Sequence, residues 1–188
     1  MIIYIVGISC VGKTTVGRLL ARQLNFQFFD LDDEVEKYYK MPIERIQDEC
    51  FSMNCFREKA SKVLDLLISQ RNDAVIAGTP SGLKYSYLQV YKKNKKKKDL
   101  VSIHLIDRPD NIVERLSFFD KDSIPIVISI DEVSKKKYIK KIKGDYSYFK
   151  NSLERADLQL SIENVPLTDI PILITTKLNF DNCQLPVG

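Results

Sequence analysis

Apolar positions fall in short blocks separated by longer stretches of helical spacing. Ile2-Ile3-Tyr4-Ile5-Val6 is apolar throughout, the pattern of a strand covered on both faces in a parallel sheet. After Gly7, the positions Val16, Leu19, Leu20 and Leu24 recur on one face of a helix. Residues 26–29, Phe-Gln-Phe-Phe, read as a second short strand ending at Asp30. Helical spacing returns over 33–39 and from Ile43 to about Ser69, with a break around 50–54. Residues 74–77 predict a third strand closed by Gly78, 85–91 a short helix, 100–106 a fourth strand and 110–119 another helix. Residues 119–134 carry little periodicity beyond 124–130 and predict a mobile lid. A long helix follows over 132–154, bent near Gly144 because glycine weakens a helix interior. A last strand covers 158–162, and a terminal helix covers 168–177 with Pro171 in its first turn.

Strands alternating with helices predict an α/β fold: a parallel five-stranded sheet with helices on both faces. No repeat or linker divides the chain, so residues 1–188 are expected to form one domain. No apolar stretch reaches the roughly 20 residues of a membrane helix, and the start lacks a secretory pattern. A cytoplasmic protein without a membrane partner is expected, and a monomer.

Charge changes this picture little. The net charge is +4, but lysines cluster in two blocks, over 92–98 and 135–143. Tyr138 is the one aromatic inside either block, too few to stack successive bases, so solvated faces are the expected reading and nucleic acid is not the expected partner. The cysteines, Cys10, Cys50, Cys55 and Cys183, contain no Cys-x-x-Cys pair, and His104 lies in an apolar run. Metal-ligand spacing of the zinc type is absent, and reduced thiols are expected.

The chemistry is concentrated at the first turn. Gly7-Ile8-Ser9-Cys10-Val11-Gly12-Lys13-Thr14 fits G-x-x-x-x-G-K-[ST] without a mismatch, after a strand and before a helix. The glycines let backbone N–H groups turn inward around phosphates, and the following helix points its positive end at the anion. Lys13 can reach the β- and γ-phosphates, and the Thr14 hydroxyl can ligate magnesium. ATP and Mg2+ are thus the expected cofactors, held by Gly7, Ser9, Cys10, Val11, Gly12, Lys13, Thr14 and Thr15. Asp30 and Asp32 follow the second strand, where ligands collect in parallel sheets. Asp30 is the candidate second magnesium ligand, and Asp32 the group that orients an acceptor hydroxyl and takes its proton. Asp32 can also cap the next helix.

From this point the chain resembles the shikimate kinase family. The resemblance rests on residues 12–21 (GKTTVGRLLA), Phe28-Phe29-Asp30-Leu31-Asp32, Val35-Glu36, Ile43, Ile46, Phe56-Arg57 and Leu64, then on 101–116, Tyr148 and Ala156-Asp157. It implies a P-loop kinase fold. It implies that Asp32 binds the acceptor hydroxyls, that Arg57 grips an acceptor carboxylate, and that Gly78 lines the acceptor site. The expected activity is ATP-dependent phosphoryl transfer to a hydroxyl of a small anionic metabolite. Four departures fall on the acceptor side, the first being that the Gly-Glu pair expected before Phe56-Arg57 is missing and that segment is one residue longer. The family's glycine triplet reads Gly78-Thr79-Pro80, its lid arginine is replaced in Ile124-Pro125-Ile126, and its later carboxylate-binding arginine is unmatched near Lys143. Arg115, Lys121 or Lys143 are candidates for the missing charge. A nucleotide-binding regulatory protein without phosphotransfer, or a P-loop protein acting on nucleic acid or nucleosides, is the alternative.

Overall fold

The computed structural model describes residues 1–179; Cys183 lies outside them. Five parallel strands form one sheet: β1 (Ile2–Val6), β2 (Gln27–Asp30), β3 (Ala74–Ala77), β4 (Leu100–Ile106) and, numbered after a small hairpin, β7 (Leu158–Ser161). Their spatial order is β2-β3-β1-β4-β7. β1 pairs with β3 (Ile3 opposite Val75) and with β4 (Ile5 opposite Ile103), which puts it at the centre. All five of its side chains are buried, as a continuous apolar run in a two-sided parallel sheet requires. The edge strands differ: β2 is half-exposed, and in β7 Gln159 and Ser161 face water while Leu160 is buried.

Helices cover both faces. α1 (Lys13–Leu24) packs on β3 and on α8 (Ile170–Lys177). Close packing there depends on Gly17, where a Cβ would lie 2.6 Å from the Phe28 ring and 3.5 Å from Ile5. Tyr4 points the opposite way from Ile5, toward α5 (Ser86–Lys95), which packs on α4 (Met53–Gln70). α2 (Leu31–Tyr39) and α3 (Ile43–Asp48) bridge β2 to α4. α7 (Glu132–Leu153) runs without interruption through Gly144, whose surroundings are open. α8 carries Pro171 in its first turn, where the missing N–H costs no helix bond.

The helix expected over 110–119 is much shorter: α6 spans Pro109–Val113. Arg115 turns back to pair with Asp107, and Phe118 leaves the helix to pack on Tyr138 at 5.6 Å between ring centroids. The chain then makes a hairpin, β5 (Phe118–Phe119) antiparallel to β6 (Pro125–Ile126), where only an irregular excursion was expected. Its turn is built by Asp120, whose carboxylate accepts from the N–H groups of Asp122 (2.8 Å) and Ile124 (2.9 Å). The hairpin tip rests on α2 and α3: Ser123 Oγ lies within hydrogen-bond distance of the carboxyl groups of Glu36 (2.6 Å) and Glu44, and Arg45 pairs with Asp122. Among the described residues no helix is long and apolar enough to cross a membrane.

Candidate active site

The loop after β1 sits at the carboxyl end of the central strand, where open α/β sheets collect ligands. Gly12, with φ +109°, is the residue before α1, and no side chain caps that helix. An L side chain at that φ is strained, so the glycine is what lets the loop enter the helix directly. The uncapped N–H groups of the first turn are therefore open to an anion. Cys10 takes the left-handed conformation at φ +59° in the middle of the loop. Ser9 and Thr15 are exposed, but Val11 is fully buried. The Val11 side chain belongs to the core, and only its backbone can face a phosphate.

Lys13 folds along the loop and donates from Nζ to the Ile8 carbonyl at 2.9 Å. Burial lowers its pKa, and the carboxylates of Asp32 and Asp30 work in the opposite direction. Thr14 Oγ1 donates to Asp30 Oδ2 at 2.7 Å, so the two candidate magnesium ligands adjoin. They are hard oxygen donors of the type magnesium takes beside phosphate oxygens. The other Asp30 oxygen accepts from the Asp32 N–H at 3.1 Å. Asp30, not Asp32, is thus the N-cap, and α2 begins at Leu31, two residues earlier than the periodicity predicts. This leaves the Asp32 side chain uncommitted to capping. Burial, then the neighbouring Asp30 charge, raise its pKa to about 7, against the pull of Lys13.

The opposite wall comes from α4 and the loop after β3. Arg57 is 4% exposed; its Nε donates to Ser81 Oγ and its Nη1 to Asn54 Oδ1, both at 2.9 Å. These two bonds aim the guanidinium, which also lies 5.8 Å from the Tyr85 ring centroid. Gly78 lies between the walls, and a Cβ there would sit 2.7 Å from the Tyr4 hydroxyl and ring. Only a glycine lets the chain pass that close to Tyr4. The Tyr87 phenol lies between the walls too: burial raises its pKa, Asp32 adds to the rise, and Arg57 opposes it.

Sequence reasoning missed Lys84. Its Nζ lies 3.6 Å from the Tyr148 ring centroid and 5.2 Å from that of Tyr85, the ring that Arg57 also approaches. Contact with the Lys84 ammonium lowers the Tyr148 pKa, with a smaller contribution from Arg57. Neither Arg57 nor Lys84 is ion-paired with a carboxylate among the described residues. Both cations thus face the same aromatic ring with no carboxylate counter-charge beside them. A lysine six residues beyond Gly78, in the loop after the third strand, was the available signal. Of the candidates named from sequence, Arg115 is committed to Asp107, while Lys121 and Lys143 are exposed on the hairpin and on α7.

Comparison with known proteins agrees with this architecture. The family model described as shikimate kinase matches residues 9–163. The chain is 37% identical over 83 residues to the "Pentafunctional AROM polypeptide" of Schizosaccharomyces pombe, covering 43% of this chain but only 5% of that much longer polypeptide. It is 32% identical over 132 residues to the "Shikimate kinase" of Caldicellulosiruptor saccharolyticus, covering 70% of this chain and 72% of the relative. A solved structure, shikimate kinase from Acinetobacter baumannii in complex with shikimate, superposes with a TM-score of 0.73 at 21% identity, over 97% of this chain and 95% of that one. That likeness shows the fold. With a phosphate loop, its paired aspartates and a family match running from the loop to the end of the last strand, the chain belongs to the shikimate kinase family.

Proposed function

We propose that the chain transfers the γ-phosphoryl group of ATP to a hydroxyl of a small, anionic, hydroxylated metabolite, with shikimate the leading candidate. The observation that carries this reading is the position of Asp32, a carboxyl raised to about 7 by burial and Asp30, within electrostatic reach of Lys13 and of Tyr87, which Arg57 also influences. One side of that carboxyl is built for phosphate and the other for an anionic acceptor.

The loop N–H groups and the start of α1 hold the phosphates, and Lys13 leaves the Ile8 carbonyl to meet them. Thr14 and Asp30 would hold magnesium, which when bound neutralises charge on the phosphate oxygens. Asp32 accepts a hydrogen bond from the acceptor hydroxyl and takes its proton as the phosphoryl group departs from ADP. A carboxyl with a pKa near 7 is better matched to that task than an ordinary one near 4. Arg57 and Lys84 hold the acceptor's anionic group, which fixes the hydroxyl against Asp32. The hairpin over α2 and α3 screens this side from water. Steady-state ADP release, measured with and without hydroxylated acids, tests the reading: release must depend on the acceptor.

A further inference from the structure

α3 ends at Asp48 and α4 begins at Met53, and the turn between them carries Cys50. Cys55 lies in the first turn of α4, its N–H donated to the capping Ser52 Oγ at 3.3 Å. Cys50 is fixed from the other side, its N–H donated to the Gln47 carbonyl at 3.1 Å. The turn folds the two thiols onto each other, with Sγ to Sγ at 3.0 Å. A disulfide bond is about 2.05 Å long, so closing it requires an approach of about 1 Å. Both thiols are half-buried, while Phe51 and Met53 beside them are exposed, so a small oxidant can reach the pair. Cys10, the other cysteine among the described residues, lies in the phosphate loop.

We propose that Cys50 and Cys55 are a site of reversible oxidation, forming an intrachain disulfide by exchange with a small-molecule disulfide such as glutathione disulfide. One protein sulfur, as thiolate, attacks a sulfur of the oxidant and expels one thiol. The second protein sulfur then attacks the mixed disulfide and expels the other thiol. Two protein thiols are oxidised, the oxidant's S–S bond is reduced to two thiols, and both protons end on the released thiols or solvent. Burial raises the Cys50 pKa, which suits Cys50 to the second step, where proximity does the work.

The pair adjoins the acceptor wall. Asn54, the residue before Cys55, accepts one of the two hydrogen bonds that aim Arg57. Drawing the first turn of α4 toward α3 strains that contact and leaves the phosphate loop untouched. Oxidation is therefore expected to raise the acceptor KM about threefold, the effect of weakening one hydrogen bond, without changing the KM for ATP. This functional consequence rests on the acceptor role proposed for Arg57; the disulfide itself does not.

The test equilibrates the full chain in glutathione buffers from reduced to oxidised, alkylates it and digests it with trypsin. Both cysteines then fall in one peptide, residues 46–57, bounded by Arg45 and Arg57. In reduced buffer that peptide should carry two alkyl groups; in oxidised buffer it should carry none and be lighter by two hydrogens. Stable glutathione adducts, persistent free thiols, or cross-links through Cys10 or Cys183 would overturn the site. The acceptor KM should rise with the oxidised fraction in the wild type and stay constant across the same buffers in Cys50→Ser. A disulfide that forms without moving KM overturns the coupling to Arg57. Arg57→Ala, assayed in reduced buffer, tests the acceptor reading separately.

Discussion

Asp32→Asn should make the protein more stable and nearly inactive. The substitution keeps the shape of the side chain and removes the charge. In the folded chain the Asp32 pKa stands at about 7 against an ordinary 3.8, because burial and Asp30 oppose ionisation more strongly than Lys13 favours it. A difference of about three pH units corresponds to about 4 kcal/mol against the ionised form. The side chain is only partly enclosed, so water reduces that ceiling, and about 2 kcal/mol is the expected cost. The sign follows from proton binding. Below about pH 4 both folded and unfolded chains hold the proton, and the group's contribution is fully present. Between about 4 and 7 the folded chain holds the proton and the unfolded chain does not, so stability falls as pH rises. Above about 7 the loss is complete. Asparagine has no such loss, so thermal unfolding at pH 8 should give a Tm about 5 °C above wild type, with a gap that closes toward pH 4. The same variant should lose about 100-fold or more in kcat, since the base is gone. A variant no more stable at pH 8 than wild type, or one retaining a tenth of wild-type kcat, would refute the placement of Asp32 as a strained, reactive carboxyl.

Other outcomes follow from the same geometry. With Mg·ATP bound, acceptor kcat/KM should fall at low pH as Asp32 takes up a proton, with the fall displaced below pH 7 because magnesium held by Thr14 and Asp30 offsets the Asp30 charge that raises it, and a profile flat down to about pH 4 would count against Asp32 as the base. Lys13→Ala should abolish turnover while leaving circular dichroism and melting intact; near wild-type turnover would remove Lys13 from the phosphate site. Arg57→Ala and Lys84→Ala should each raise the acceptor KM by about 10-fold or more, because a charge-assisted contact is worth on the order of 2 kcal/mol. Arg57→Lys should rescue little, since an ammonium cannot reproduce the forked bonds to Ser81 and Asn54. In the nucleotide-free protein, the amides of 127–130, which belong to neither β6 nor α7, should exchange quickly; slow exchange there would contradict a mobile lid.

The parts legible in the sequence are those whose chemistry is contiguous. Gly7 to Thr14 is one unbroken motif between a strand and a helix, and Asp30 and Asp32 follow the next strand directly, so the phosphate side could be read residue by residue. Arg57 was reachable only through the family resemblance, because a single arginine on an amphipathic helix has no local signature. Lys84 and Tyr148 are far apart in sequence and meet only because α7 lies across the loop after β3. Ser152 Oγ donates there to the Ser81 carbonyl at 2.6 Å, and Leu153 packs against Gly82. No periodicity encodes that crossing. The early end of α6 was hidden for the same reason: Ile112, Leu116 and Phe119 keep a helical rhythm, but the Arg115–Asp107 pair and the contact of Phe118 with the Tyr138 ring redirect the chain. The Cys50–Cys55 contact escaped a reading tuned to Cys-x-x-Cys, because it depends on how tightly two helices join.

The most direct test of the account is ADP release from Mg·ATP in the presence of shikimate, and of a panel of other hydroxylated acids, neutral polyols and nucleosides. The wild-type chain should release ADP in step with phosphorylated acceptor, and anionic hydroxylated acids should be preferred over neutral polyols. That preference should be lost in a chain carrying both Arg57→Ala and Lys84→Ala. ATP bound tightly, with no acceptor in the panel raising ADP release above the background with water, would contradict phosphoryl transfer at Asp32.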